Sequence, residues 1–87
     1  MAKGAVAEPT YVSGLTLALQ RSFPQAQLTH EQIRRDRYRF ILVADAFEDI
    51  GHPERQRLVW EIADKTLNKS DLMKVGMIIT IAPSELP

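Results

Sequence analysis

The 87-residue chain contains no cysteine. Disulfides, thiolate metal sites and cysteine nucleophiles are therefore excluded, and the fold is expected to be held by packing alone. No apolar run approaches the roughly 20 residues that a membrane-spanning helix requires. Residues 1–9 lack the basic region and the long apolar stretch of a secretory signal. We therefore expect a loose N-terminal tail over residues 1–9 and a soluble protein of the cytoplasmic type.

The chain also lacks a net charge, since 11 basic residues balance 11 acidic ones. A strong overall field that would attract nucleic acid or a membrane surface is therefore absent. The balance hides a local bias, because the acidic residues are spread along the chain while arginines crowd its middle. These arginines are Arg34, Arg35, Arg37, Arg39, Arg55 and Arg57.

Glycine is scarce as well, with only four in the chain. They form neither the glycine-rich strand-to-helix loop that cradles phosphates nor the Gly-x-x-Gly clamp of nucleic-acid-binding KH modules. No set of histidine, acid and nucleophile is visible either. The sequence therefore predicts a protein that is not an enzyme.

Five main elements are predicted, in the order helix, strand, strand, helix, strand. Thr10 is the candidate N-cap of the first helix and Pro24 ends it, while Pro53 fits the first position of the second helix. Ser70 is a candidate cap for one further helical turn. The predicted ranges are 10–23, 27–33, 37–47, 51–67 and 75–82.

The apolar pattern indicates how these elements pack. In the second strand, Tyr38, Phe40, Leu42 and Ala44 share one face. Segment 75–82 is continuously apolar, which is typical of a buried strand, and a right-handed crossover makes it parallel to the second strand. The buried arc of the second helix is expected at Leu58, Val59, Ile62, Ala63 and Thr66. The simplest packing is a three-stranded mixed sheet with helices on one face, in a single α+β domain over residues 10–87.

One stretch carries more specific information. Phe47 ends the predicted second strand, and an Arg55-Gln-Arg57-x-Val59-Trp60 run opens the helix that follows. This register resembles the BolA family, in which a strand-ending aromatic precedes an Arg-His-Arg-x-Val-Tyr run, and whose fold is similar to the type II KH fold. Glu85, two residues after Pro83, resembles the family's trailing Pro-x-Glu. Gln56 departs from the pattern because it stands in the place of the family's histidine.

The resemblance implies a partner and a cargo. BolA-like proteins work with monothiol glutaredoxins, share a [2Fe–2S] cluster with them, and are linked to cluster trafficking, stress responses and iron regulation. The family's histidine ligand before the last strand falls near Lys74 or Val75 here, and neither residue ligates iron as that histidine does. The second ligand position falls near His30. Since cluster iron requires thiolate or imidazole donors, we expect no cofactor on the isolated chain, with His30 as the candidate ligand in a shared cluster.

Candidate partner-binding residues lie around the start of the second helix and before the last strand. A large aromatic beside arginines suits a protein interface. The residues of this predicted surface are Arg55, Gln56, Arg57, Trp60 and Lys74. The alternative for Trp60 is packing against the sheet edge or the first helix. His52, next to Pro53, is interpreted as a loop or capping-region residue.

Two other functions stay open at this point. The first is a KH-like nucleic-acid binder or transcriptional regulator that grips phosphates with the Arg-rich hairpin, because arginine forms bidentate contacts to phosphate. Its residues are Arg34, Arg35, Arg37 and Arg39. The same charges also suit a solvated strand edge that resists aggregation. The second is a divergent family member that keeps the fold and has lost the cluster role.

Overall fold

The computed structural model describes residues 9–87. Helices α1, α2 and α3 cover Thr10–Ser22, His52–Thr66 and Lys69–Leu72, and strands β1, β2 and β3 cover Gln27–Arg34, Arg37–Val43 and Val75–Ile81. Short 3-10 helices at Asp45–Asp49 and Pro83–Glu85 follow β2 and β3. The predicted order of the five main elements is confirmed. The expected tail over residues 1–9 lies outside the described residues except for Pro9.

The sheet has the order β1-β2-β3. β1 runs antiparallel to β2, with Gln27 opposite Val43, as the predicted hairpin requires. β3 runs parallel to β2, with Phe40 opposite Ile78. The chain between β2 and β3 contains α2 and α3, which provide the long crossover that a parallel pair needs. The mixed three-stranded sheet predicted from the sequence is thus confirmed.

The hydrophobic core lies between one face of this sheet and helices α1 and α2. The strands contribute the fully buried side chains of Phe40, Leu42 and Ile78. α1 contributes a single stripe at helical spacing, namely Tyr11, Val12, Leu15 and Leu19. The opposite face of β2 carries Arg39, Ile41 and Val43, which are only partly buried. No helix within residues 9–87 has the length and apolar character needed to cross a membrane.

The helix ends differ from the predicted ones in detail. Pro9, not Thr10, precedes the first turn of α1, and no side chain caps that turn. The further turn predicted after α2 forms as α3, but its cap is the Asn68 side chain, which accepts a hydrogen bond from the Asp71 N–H at 2.8 Å. Asparagine is a strong N-cap residue, so Asn68 takes the role that the sequence suggested for Ser70.

The end of β2 is also corrected. The strand was predicted to reach Phe47, but it ends at Val43, and Phe47 lies in the following 3-10 helix. That turn folds the Phe47 ring back under the sheet, where it is fully buried and lies 5.1 Å from the ring of Phe23. The alternation of buried and less buried side chains holds up to Ala44. After Ala44, packing of the Phe47 ring into the core determines the backbone conformation.

The buried arc of α2 is shifted toward its start. Val59 and Ala63 are buried as predicted, but Thr66 is exposed and donates its hydroxyl to the Ile62 carbonyl. Arg55, expected on the surface, is instead buried at 4% exposure. A buried arginine is tolerated only when its donors are paired, so its partners matter for the whole fold.

Arg55 uses its guanidinium to join three segments. Its Nε donates to the Ile50 carbonyl at 2.7 Å, and Nη2 donates to the Phe47 carbonyl at 2.8 Å. Nη1 and Nη2 also donate to the two carboxylate oxygens of Glu85, at 2.8 and 3.0 Å. Glu85 in turn accepts a hydrogen bond from the backbone N–H of Ala82 at 2.9 Å. The first turn of α2 is therefore tied to the segments that follow β2 and β3.

These contacts change the acidity of the carboxyl. Arg55, followed by the Ala82 N–H, lowers the pKa of Glu85 from 4.5 to about 2. Because the pKa is depressed in the folded state, the ionised carboxylate stabilises the fold fully above pH 4.5. That contribution is lost as the pH falls from 4.5 toward 2.

We expect Arg55→Met to destabilise the protein at neutral pH more than Glu85→Gln does. The first change removes the guanidinium donors of Glu85 and of two backbone carbonyls, whereas the second keeps both carbonyl contacts and one accepting oxygen beside Arg55. Glu85→Gln should also flatten the loss of stability between pH 4.5 and 2. Urea unfolding followed by the fluorescence of Trp60, the one tryptophan, measures both effects. Glu61→Gln, at an exposed position, is the matched control, and an Arg55→Met protein as stable as wild type contradicts the assignment.

Candidate functional site

Gln56 connects α2 to the last strand. Its Nε2 donates to the carbonyl of Ile78 at 2.8 Å and to the hydroxyl of Thr80 at 3.3 Å. Its Oε1 accepts a hydrogen bond from Trp60 Nε1 at 3.1 Å. The predicted adjacency of Gln56 and Trp60, one helical turn apart, is confirmed. Every polar atom of the Gln56 side chain is thus used within the fold.

The carbonyl that Gln56 binds lies on the free edge of the sheet. β3 is an edge strand, and the Ala44 N–H donates to the Ile81 carbonyl on its inner side. Successive backbone carbonyls along a strand point to opposite sides. The carbonyls of Ile81 and Ile79 therefore point toward β2, and the carbonyl of Ile78 points away from it. An unpaired edge of this kind is a template for foreign strands. Gln56 and the half-buried Trp60 beside it therefore obstruct that edge.

The other predicted partner-binding residues on α2 divide between surface and interior. Arg57 is exposed and forms ion pairs with Glu54 and Glu61 on the outer face of the helix. Exposed pairs of this kind are weak, so Arg57 remains free to exchange them for a partner's carboxylate. Arg55 is buried. Trp60 packs against the hydrophobic core, which agrees with the alternative that its ring has a packing role. Of the predicted partner-binding residues on this helix, Arg57 alone presents its charged group to solvent.

A second group of predicted residues meets at the opposite end of the sheet. The His30 ring lies 6.0 Å from the ring of Tyr38, which meets the Tyr11 ring edge-on at 6.1 Å. Lys74 Nζ lies 6.0 Å from the centre of the Tyr11 ring, within the range of a cation–π contact. We call His30, Tyr38, Tyr11 and Lys74 the aromatic row. It crosses the helix-covered face from β1 to the start of β3.

Tyr11 holds the row together. Its hydroxyl donates to the carbonyl of Lys74 at 3.5 Å, a long hydrogen bond. Burial, followed by the proximity of Tyr38, raises the pKa of Tyr11, so the phenol stays protonated and keeps this donor. The Lys74 ammonium also lies 3.5 Å from a carboxylate oxygen of Asp71. The row therefore presents one imidazole, two phenol rings and one ammonium group.

The two histidines do not meet. His30 lies within the sheet against Tyr38 and Phe40, whereas His52 is exposed and lies 3.8 Å from a carboxylate oxygen of Glu85. Within residues 9–87, no three side chains of histidine, cysteine, aspartate or glutamate come together as a metal site. The role of His30 as a ligand in a shared cluster therefore stays a prediction, with no second histidine beside it in the described chain.

The four arginines of the hairpin differ in whether they form ion pairs. Arg34, Arg35 and Arg37 are exposed at the β1–β2 turn, and none of them forms an ion pair in the part of the chain that the structure describes. Arg39, directly opposite Glu31 in the sheet, is paired with it. The basic patch of this turn therefore contains three arginines.

Sequence reasoning did not find the aromatic row or the Arg55–Glu85 pair. Tyr11 and Lys74 are 63 positions apart, and Arg55 and Glu85 are 30 apart. No local spacing links residues at such separations. The one available signal for the pair was the resemblance, which marked Phe47, Arg55 and Glu85 separately. The structure joins these three positions through direct hydrogen bonds.

We expect Gln56→Glu to destabilise the fold by about 1–3 kcal/mol, because it removes the donor from the Ile78 carbonyl and places a negative charge against it. The indole N–H of Trp60 bonds to the same side chain, so its NMR signal should move with the substitution. Chemical denaturation gives the stability change. Gln27→Glu, at an exposed position, is the matched control and should stay within about 0.5 kcal/mol of wild type. An equal effect of the two substitutions contradicts the proposed edge contact.

Comparison with known proteins identifies the fold. No protein-family model and no curated protein sequence matches the chain. Among solved structures, BolA1 from Arabidopsis thaliana is similar with a TM-score of 0.71 and 20% identity, over 92% of this chain and 100% of that one. The BolA domain of SufE1 from Arabidopsis thaliana has a TM-score of 0.73 and 17% identity, with the same coverage. A bol-like protein from Babesia bovis has a TM-score of 0.53 and 17% identity, over 95% of this chain and 93% of that one. The resemblance drawn from the Phe47-to-Trp60 register is confirmed in three dimensions, and the chain has the BolA fold.

Proposed function

We propose that this chain is a non-enzymatic BolA-like adaptor that docks onto a monothiol glutaredoxin in the cytoplasm. Its role there is in iron–sulfur cluster trafficking or in iron and stress regulation. The observation that carries the proposal is the aromatic row. It connects His30 and Lys74, at or near the two ligand positions that the resemblance implies, through the rings of Tyr38 and Tyr11. The similarity to the BolA domain of SufE1 supports a protein-binding module.

The chemistry of the row favours docking over ligation. A lysine ammonium does not replace an imidazole as a donor to iron, so His30 is the single candidate ligand that this chain brings. A [2Fe–2S] cargo would then be held mainly by the partner's thiolates. Tyr38 and Lys74, both half-buried, supply aromatic area and positive charge, which are the usual anchors of protein interfaces, and the buried Tyr11 holds them in place.

The predicted partner-binding residues then separate by role. Lys74 and Arg57 offer charges that a partner can reach, and Trp60 is half-buried, so part of its ring is accessible. Arg55 and Gln56 support the surface through the fold, since their polar atoms are bound inside it. Gln56 in place of the family's histidine is therefore a structural contact in this chain.

Lys74→Glu should weaken binding to a monothiol glutaredoxin by about tenfold, or 1.4 kcal/mol, because it reverses the accessible charge of the row. Isothermal titration calorimetry with the apo partner measures the affinity. Lys65→Glu makes the same charge change at an exposed position near the end of α2 and should bind like wild type. A wild-type protein that gives no heat, and no NMR shifts at Lys74 or Trp60, refutes the docking proposal.

His30→Ala tests the shared cluster separately. We expect the variant still to bind the apo glutaredoxin, while the visible absorption of the complex co-expressed under iron-replete conditions changes relative to wild type. The spectrum also separates an adaptor that shares the cluster from a divergent protein that only keeps the fold. An identical spectrum in the variant removes His30 as a ligand and leaves the docking role intact.

A second candidate function, nucleic-acid binding, is favoured by the three arginines of the β1–β2 turn, which have no ion-pair partners in the described part of the chain. If these arginines contact phosphates, the association constant for duplex DNA should fall as salt is added. A plot of its logarithm against the logarithm of the salt concentration should have a slope of about −0.9 per neutralised phosphate. Gel shifts with wild type and with Arg34→Gln/Arg35→Gln measure this slope. No shift of either protein at low salt excludes the nucleic-acid function.

A further inference from the structure

A mostly apolar pocket opens where β2 ends and β1 begins. Its volume is about 330 Å³, near the lower limit of roughly 300–1,000 Å³ for ligand-binding pockets. Apolar side chains of the α1–β1 loop and of the segment after β2 line it, namely Phe23, Pro24, Ala26, Ala44 and Ala46. Three of these five are alanines, whose short side chains leave the space open. The pocket has room for an apolar side chain inserted from outside.

The rim of this pocket is acidic. Asp45 lines it and also lines a smaller adjoining depression beside Pro83 and Leu86. Glu48 and Asp49 are exposed on the same 3-10 helix as Asp45. Arg21, at the end of α1, is the nearby basic residue by chain position. An apolar side chain flanked by positive charge is therefore the complementary ligand.

The chain itself displays such a side chain. Met73 is 72% exposed, the highest value among the exposed large apolar residues of the described chain. It follows α3 directly and lies between Lys69 and Lys74, the second of which is 3.5 Å from the Asp71 carboxylate. Methionine is flexible and makes favourable contacts with aromatic rings, which suits a pocket walled by Phe23.

Met73 and the pocket lie at opposite ends of the sheet. The Tyr38 N–H donates to the Lys74 carbonyl at 3.2 Å, which places Met73 at the beginning of β2 with the exposed arginines of the turn. Ala44 and Asp45 follow the other end of β2. Seven residues of strand separate the two ends by about 23 Å at 3.3 Å per residue. One molecule therefore cannot place its own Met73 in its own pocket, but a second copy can.

We propose that the protein associates with itself head to tail, with Met73 of one copy seated in the acidic-rimmed pocket of the next. Lys69 and Lys74 of the first copy then face Asp45 and its acidic neighbours on the second. The two contacting surfaces differ, so the contact is heterologous and continues from copy to copy unless a ring closes. This association is independent of glutaredoxin docking, although both use the Lys74 end of the domain and would compete there.

Sedimentation velocity over rising protein concentration at low salt tests the proposal. We expect the average mass to increase continuously for wild type, and to fall back in about 1 M salt, where charges are screened beyond about 3 Å. Met73→Ser removes the inserted side chain, and Ala46→Arg fills and recharges the pocket mouth, so each variant alone should be monomeric. Leu17→Ser, at another exposed apolar position of 51% exposure, is the matched control and should associate like wild type.

The mixture of the two defective variants gives the decisive result. Ala46→Arg keeps Met73 and Met73→Ser keeps the pocket, so together they should form a dimer that grows no further. Its formation also shows that both variants are folded. A wild-type protein that stays monomeric at concentrations up to about 1 mM, the weak limit of specific association, overturns the proposal. So does a mixture of the variants that remains monomeric while wild type associates.

Discussion

The ion pair between the buried Arg55 and the more exposed Glu85 is the contact on which the rest of this small domain depends. A guanidinium removed from water is destabilising unless each of its donors is paired. Here the pairing is provided by the carbonyls of Phe47 and Ile50, in the segment after β2, and by Glu85, in the segment after β3. The same interaction fixes the start of α2, the turn after β2 and the segment after β3. In a chain without cysteine, it supplements apolar packing as a cross-link between distant segments.

Fixing the start of α2 determines which of its side chains reach a partner. With Arg55 turned inward, Gln56 on the next position meets the edge of β3 and occupies the Ile78 carbonyl. Trp60, one turn later, lies over the same edge and bonds to Gln56. A partner strand is thus obstructed at this edge. Among the predicted partner-binding residues, the accessible charges are those of Arg57 and of Lys74, which belongs to the aromatic row.

The net charge of zero conceals an uneven distribution of charged residues over the molecule. Exposed arginines of the β1–β2 turn, with Lys69 and Lys74, lie at one end of the sheet, and Asp45, Glu48 and Asp49 lie at the other. Each end also carries an apolar feature, Met73 at the basic end and the pocket at the acidic end. The two ends therefore differ in both charge and shape, and that polarity suits contacts with other protein surfaces.

The sequence by itself determined the order of elements, the sheet and the inward face of β2, because these follow from local periodicity and from the rule that parallel strands need a crossover. It also identified the BolA-like register and placed Gln56 beside Trp60. Only the tertiary structure decided that Phe47 leaves the strand and that Arg55 is buried. It also decided that Tyr38 and Tyr11 link His30 to Lys74. Those outcomes depend on contacts between residues up to 63 positions apart. Local spacing carries no information about such contacts, because they form only between segments that the packing of the helices on the sheet brings together.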